Sequence, residues 1–192
     1  MVRLFLSLLL SSTPSWAILY QDINIETMVS QADRILAGRV IAQETGVIND
    51  KPFVQTTFEV VKGYTAGLGQ QVTIKQFGRV DSKHTIKTFP GLPTFQKGGV
   101  YLLFLENANA EGFASPVGLL TFELISKNTQ AIVTGQGLIQ ARPTRPVKGL
   151  FDNIQNSEVN ALVESRKQSN VKKSNVLELP FLEQIIQRKN QL

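Results

Sequence analysis

The chain has 192 residues, no cysteine, a single histidine and a formal net charge of +5. Without cysteine there is no disulfide, no thiol nucleophile and no thiolate metal site, so stability must come from apolar burial. The charge is uneven: residues 18–141 carry ten Lys or Arg against ten Asp or Glu, while residues 142–192 carry nine against five, which leaves the excess on a basic C-terminal segment.

The opening, MVRLFLSLLLSSTPSWA, has one positive charge at Arg3, an apolar run from Leu4 to Leu10, a break at Pro14, and the small residues Ser15 and Ala17. That pattern predicts a secretory signal peptide over residues 1–17, and hence an exported chain, periplasmic or secreted. The apolar run is well short of the ~20 residues that span a bilayer, so no membrane span is expected. No cysteine follows it to carry a lipid anchor.

After Ala17, the apolar residues Ile25, Met28, Val29 and Ala32 are spaced as on one helical face, with Asp22 or Asn24 able to cap the start. They predict a short helix over Asn24–Gln31. The period then changes: Ile35–Ala42 suits a strand, with Leu36, Gly38, Val40 and Ala42 on one side. A turn cluster at Asn49–Pro52 precedes a strand in which Val54, Phe58 and Val60 alternate with the polar Gln55, Thr57 and Glu59. Glycines 63, 67 and 69 mark a turn before the next strand, Gln71–Phe77, where Val72 and Ile74 point inward and Thr73 and Lys75 outward. The polar stretch GRVDSKHTIKT fits either a long loop or a weak edge strand.

The segment FPGLPTFQKGGVYLLFL places Pro90-Gly91 at the centre of a type II turn, because Pro fixes φ and Gly accepts a positive φ. Gly98-Gly99 supplies a second turn, and Val100–Leu105, apolar on both faces, is the expected central strand. EGFASPVGLLTFELI and TQAIVTGQGLIQ are two further strand candidates separated by a turn at Ser126–Asn128. Six extended segments with one early helix argue against alternating β-α units and favour a small barrel or sandwich. From Arg142, Pro143 and Pro146 predict an exposed linker. A helix capped by Ser157 follows, and then one starting near Pro180 whose stripe of Phe181, Leu182, Ile185 and Ile186 fits either docking on the barrel or a partner.

The motifs QADRILAGRVIAQE, TTFEVVKG, GLPTFQKGGVYLLFL and PVGLLTFELI together resemble a family of small secreted bacterial domains with no assigned activity, over about Glu26 to Ile125. More distantly, ADRILAGRV followed by a strand ending in Lys-Gly is similar to the netrin-like domain of tissue inhibitors of metalloproteinases. That resemblance implies an OB-type antiparallel barrel; with the element pattern, the expected organisation is a barrel domain over residues 18–141 that includes the short N-terminal helix, and a basic linker and C-terminal helices over residues 142–192 as an appendage. It also implies protease inhibition, but the inhibitory wedge of that family is an N-terminal cysteine that chelates zinc, and this chain has none. The bacterial family often has Gln-Gly after Val-Gly-Leu, where this chain has Leu120-Thr121.

No catalytic motif is present. His84 has no partner in sequence that would make it a base or a ligand, since triad members come from separate segments and metal sites need several ligands. KGYTAGLG lacks the order of a phosphate loop. Nucleic acid is not expected, because residues 18–141 are charge-neutral and their aromatics fall mostly at core positions. Asp33 is expected to take a structural role at the helix-to-strand turn. The expectation is a non-enzymatic binding module without cofactor or metal, recognising an exported protein, a protease among the candidates, or an envelope ligand. A hydrolase whose site forms only in the fold is the alternative. The residues to inspect for ligand contact are Leu92, Phe95 and His84.

Overall fold

The change of hydrophobic period near Ile35 is the step from helix α1 (Ile25–Gln31) into strand β1 (Arg34–Ile48). The computed structural model describes residues 23–126, 129–134, 138–168 and 177–189, and the segment read as a signal peptide lies outside them. Of the two residues able to cap α1, Asn24 does so, its Oδ1 accepting from the Thr27 N–H at 2.8 Å. β1 does not end at Ala42 as its composition predicts. Register shifts between Ala37 and Gly38 and between Val40 and Ala42 bend it, and it runs on to Ile48. Asn49 and Asp50, at φ 49° and 60°, then make a two-residue turn. Two consecutive left-handed residues match the right-handed twist of a hairpin, so Lys51 and Pro52, expected in the turn, already belong to β2 (Lys51–Gly63).

β3 (Gln71–Val80) continues past Phe77, and β4 (Ile86–Thr88) pairs with its end, so the polar stretch around His84 is an edge hairpin. The turn at Pro90-Gly91 forms as expected, with Gly91 at φ 93° and the Leu92 N–H donating to the Phe89 carbonyl at 3.1 Å. The second turn is shifted by one residue, centred on Lys97-Gly98, since the Gly99 N–H donates to the Gln96 carbonyl at 2.9 Å. β5 (Val100–Leu105) is buried at every position.

Beyond β5 the strand expectations are partly overturned. Only Phe122–Ile125 of the first candidate forms a strand, β6, because Val117–Leu119 is a 3-10 turn in which Gly118 and Leu119 have φ 60° and 54°. The second candidate begins as helix α2 (Thr129–Thr134), with Ile132 buried in the core, and becomes strand β7 (Gln140–Pro143) only at its end. Arg142 and Pro143 are therefore strand, not linker, and the expected division after residue 141 falls inside β7. Helix α3 (Ser157–Gln168) is capped by Asn156 rather than Ser157: the Asn156 Oδ1 accepts from the N–H groups of Glu158 and Val159 at 2.9 and 3.0 Å. β8 (Leu177–Glu178) leads into α4 (Leu179–Lys189), with Pro180 in its first turn.

The molecule is mainly β. One antiparallel sheet has the order β4-β3-β2-β1-β5-β6-β7-β8, and among the described residues no ladder joins its two end strands. Two isolated bridges, Lys75 with Phe113 and Leu105 with Pro116, set residues 113–116 between β3 and β5. β5 divides its side chains between two cores. Leu102 and Phe104 join Ile35, Ala37 and the helices, and Leu103 and Leu105 join Leu36, Phe58, Ile74 and Phe95. The stripe on α4 faces the first of these: Leu182, Ile185 and Ile186 are buried there with Leu179, Ile25 and Met28, and Phe181 packs against it partly buried. No helix among the described residues is long and apolar enough to cross a membrane.

Candidate functional site

The three residues singled out from the sequence occupy different settings. Phe95 is a core residue rather than an exposed grip: it is 6% exposed and its ring meets Phe58 and Tyr101 edge-on, each at 5.0 Å between centroids. Tyr101 is held from the same side, its hydroxyl accepting the Gln96 N–H at 3.0 Å, and burial pushes its phenol above the ordinary range. Leu92 is half-buried behind the type II turn. His84 is exposed at φ 58° in the β3–β4 turn, where its N–H donates to the Asp81 carbonyl at 3.0 Å. That turn is organised by Asp81. The ion pair with Lys87 at 3.0 Å, then the N–H groups of Thr85 and Lys83, hold its carboxyl well below the usual carboxylate range. Among the described residues, no three His, Asp or Glu side chains gather as a metal centre requires.

Two other clusters stand out. In the first, Glu183 on α4 accepts from both Tyr64 and Lys62 through one oxygen, at 2.6 and 2.8 Å. Burial first, and the neighbouring carboxylate second, push the Tyr64 phenol far above its ordinary value. This cluster clasps α4 to the end of β2, and its chemistry is that of a fastener.

The second is an aromatic shelf on the outer face of the β2–β3 hairpin. Phe53 and Phe77 are direct cross-strand partners. Phe113 stacks on Phe77 at 4.3 Å and meets Phe53 edge-on at 6.3 Å. Phe113 is delivered by a tight loop in which the Asn109 Oδ1 accepts from the N–H groups of Glu111 and Phe113 at 3.0 and 2.9 Å. The rim is charged. Lys75 lies 5.4 Å from the Phe53 ring centroid and donates to the Glu111 carbonyl at 3.3 Å, and Lys51 pairs with the Glu111 carboxylate at 3.7 Å. Phe77 is 44% exposed, although a solvated strand face would ordinarily carry a polar residue there. The signal was in the sequence: with Thr73 and Lys75 outward, alternation places Phe77 outward as well. What brought Phe113 beside it was the loop after β5, which no local pattern announces.

A groove of about 640 Å³ lies within the basic C-terminal segment, between Arg142, Arg145, Val147, Phe151 and Lys167. Its cations are already engaged. Arg142 pairs with Glu123, Lys167 with Glu164 at 2.8 Å, and Arg145 donates to the Gly118 carbonyl at 2.8 Å. Compared with protein-family models and with curated proteins, the sequence matches none.

Proposed function

We propose that the chain is an OB-type barrel that serves as a non-enzymatic binding module for an exported protein, with the exposed Phe77, backed by the half-buried Phe53 and the buried Phe113, as its contact surface. The barrel reading is supported by the two isolated bridges. Residues 113–116 bridge to β3 at one end and to β5 at the other, as the closing segment of a barrel would, and Leu36, Phe58, Ile74, Leu103 and Ala114 share one core. The resemblance to the netrin-like domain points the same way, and the leader pattern supports export.

The observation that carries the functional reading is the exposure of Phe77 on top of a preformed aromatic stack. Leaving an aromatic ring in water forgoes part of the roughly 1.5–3 kcal/mol that full burial contributes. A partner recovers it. Clustered aromatics inside a rim of Lys51, Lys75 and Glu111 have the anatomy of a protein interface, in which buried aromatic anchors dominate and charged residues sit at the edge. The test is affinity capture from an exported-protein fraction with the wild-type chain and with Phe77→Asp, both checked for the same circular dichroism and unfolding midpoint. The expected result is one partner retained near stoichiometry by the wild type and lost by the variant. Identical capture by both proteins, or none by the wild type, rejects the reading.

A further inference from the structure

β1 is a sheet edge for half its length. Its ladder with β5 stops at Arg39, and Val40 is bonded on that side to Gly98 and Gly99, at 2.9 Å each. From Gln43 to Ile48 the strand is paired with β2 alone. The hairpin turn decides which groups are open. Ile48 and Lys51 flank a two-residue turn and so form a hydrogen-bonded pair. By alternation Gly46 and Glu44 face β2, and the backbone N–H and C=O groups of Val47, Thr45 and Gln43 point away from it. No hydrogen bond from a described residue reaches those groups. The segment QETGVI also lacks the Lys and Pro with which edge strands are commonly blunted.

We propose that this edge pairs antiparallel with the same edge of a second copy of the chain, about a two-fold axis at Thr45. Self-pairing must set open groups against open groups, and the side chains then select the register. An axis at Glu44 stacks two carboxylates directly opposite each other, which is repulsive. An axis at Gly46 puts two residues without side chains at the centre. The axis at Thr45 instead sets Thr45 against Thr45, a favourable cross-strand pair, with Gln43 against Val47 and Glu44 against the bare Gly46. The Phe53 ring lies over Gly46, where a Cβ would stand 2.7 Å from it. Pairing at this edge therefore sets the two aromatic shelves on either side of the dyad, with Phe77 two strands away from it. The dimer does not depend on what the shelves bind.

The absence of cysteine makes the test clean. Opposed Cα atoms of a hydrogen-bonded pair stand about 5.5 Å apart, within disulfide reach. Thr45→Cys should cross-link into a dimer under mild oxidation much faster than Val47→Cys, whose partner in this register is Gln43. Sedimentation equilibrium of the purified wild-type chain should show a monomer–dimer equilibrium, and Thr45→Lys, which places two cations on the axis, should raise its dissociation constant at least about tenfold. A wild type that stays monomeric at the highest concentration reached, equal cross-linking of the two cysteine variants, or a dimer indifferent to Thr45→Lys overturns the proposal. Phe77→Asp should leave the dimer intact, so failure of the shelf and failure of the dimer are read separately.

Discussion

Gln76 is an amide in the wrong company. It lies on the inward face of β3 next to Ile74's strand neighbours, is 3% exposed, and among the described residues neither its amide oxygen nor its nitrogen has a hydrogen-bond partner. The nearby buried Thr56 is different, since its hydroxyl accepts from the Gln43 amide at 3.4 Å. An unsatisfied buried amide costs about 1–3 kcal/mol, more than the modest net gain of a made bond. Gln76→Met keeps the length and flexibility of the side chain and removes the polar atoms. It is expected to raise stability by roughly 1 kcal/mol, seen as a higher urea midpoint at unchanged slope. A lower midpoint would mean that the amide is held by something a methionine cannot replace. At this scale the sequence was legible in geometry and misleading in chemistry. Alternation through Val72 and Ile74 already pointed residue 76 inward and residue 77 outward. The polar Gln and the apolar Phe argue for the opposite faces, and the backbone period overrules both.

The clasp between β2 and α4 acts at the scale of elements. Tyr64 is placed beyond the end of β2, its N–H donating to the Ile35 carbonyl at 2.9 Å, and its hydroxyl reaches Glu183 across the seam. Because burial and the carboxylate raise its folded pKa above the unfolded value near 10, the bond contributes in full below about pH 10. Above that the unfolded chain ionises first, and stability falls as pH rises. Tyr64→Phe is expected to cost roughly 1–3 kcal/mol at neutral pH, as for a bond to a charged acceptor, and to flatten the alkaline limb. Urea midpoints of both proteins from pH 7 to 11 test this, and an unchanged alkaline limb contradicts it. No pattern in the sequence joins Tyr64 to Glu183, because the pairing exists only once α4 has docked. The same limit explains α2, where a short run of Ala131, Ile132 and Val133 reads as strand by composition. It folds as helix, with Ile132 buried in the larger core.

For the whole molecule, β5 is the shared wall of two cores, and the C-terminal helix closes one of them. The apolar stripe of α4 was visible in the sequence. What it covers was not, since Ile25, Met28, Val117 and Leu120 come from segments far away in the chain. An appended helix and an integral one make opposite predictions. If α4 were an appendage, a chain ending at Gln168 would keep a folded sheet with its own cooperative transition. With Leu179, Leu182, Ile185 and Ile186 all buried, truncation instead opens the face of β5 that carries Leu102 and Phe104. The truncated chain is expected to lose its cooperative transition and aggregate. Ile185→Ala in the full chain removes only part of the seal and should cost about 2–5 kcal/mol. That is a large fraction of the 5–15 kcal/mol by which domains are stable, so its urea midpoint should fall in a single transition that carries the β signal with it. A biphasic curve, in which the β signal is unchanged through the first phase and lost at the wild-type midpoint in the second, would return the helix to the status of an appendage.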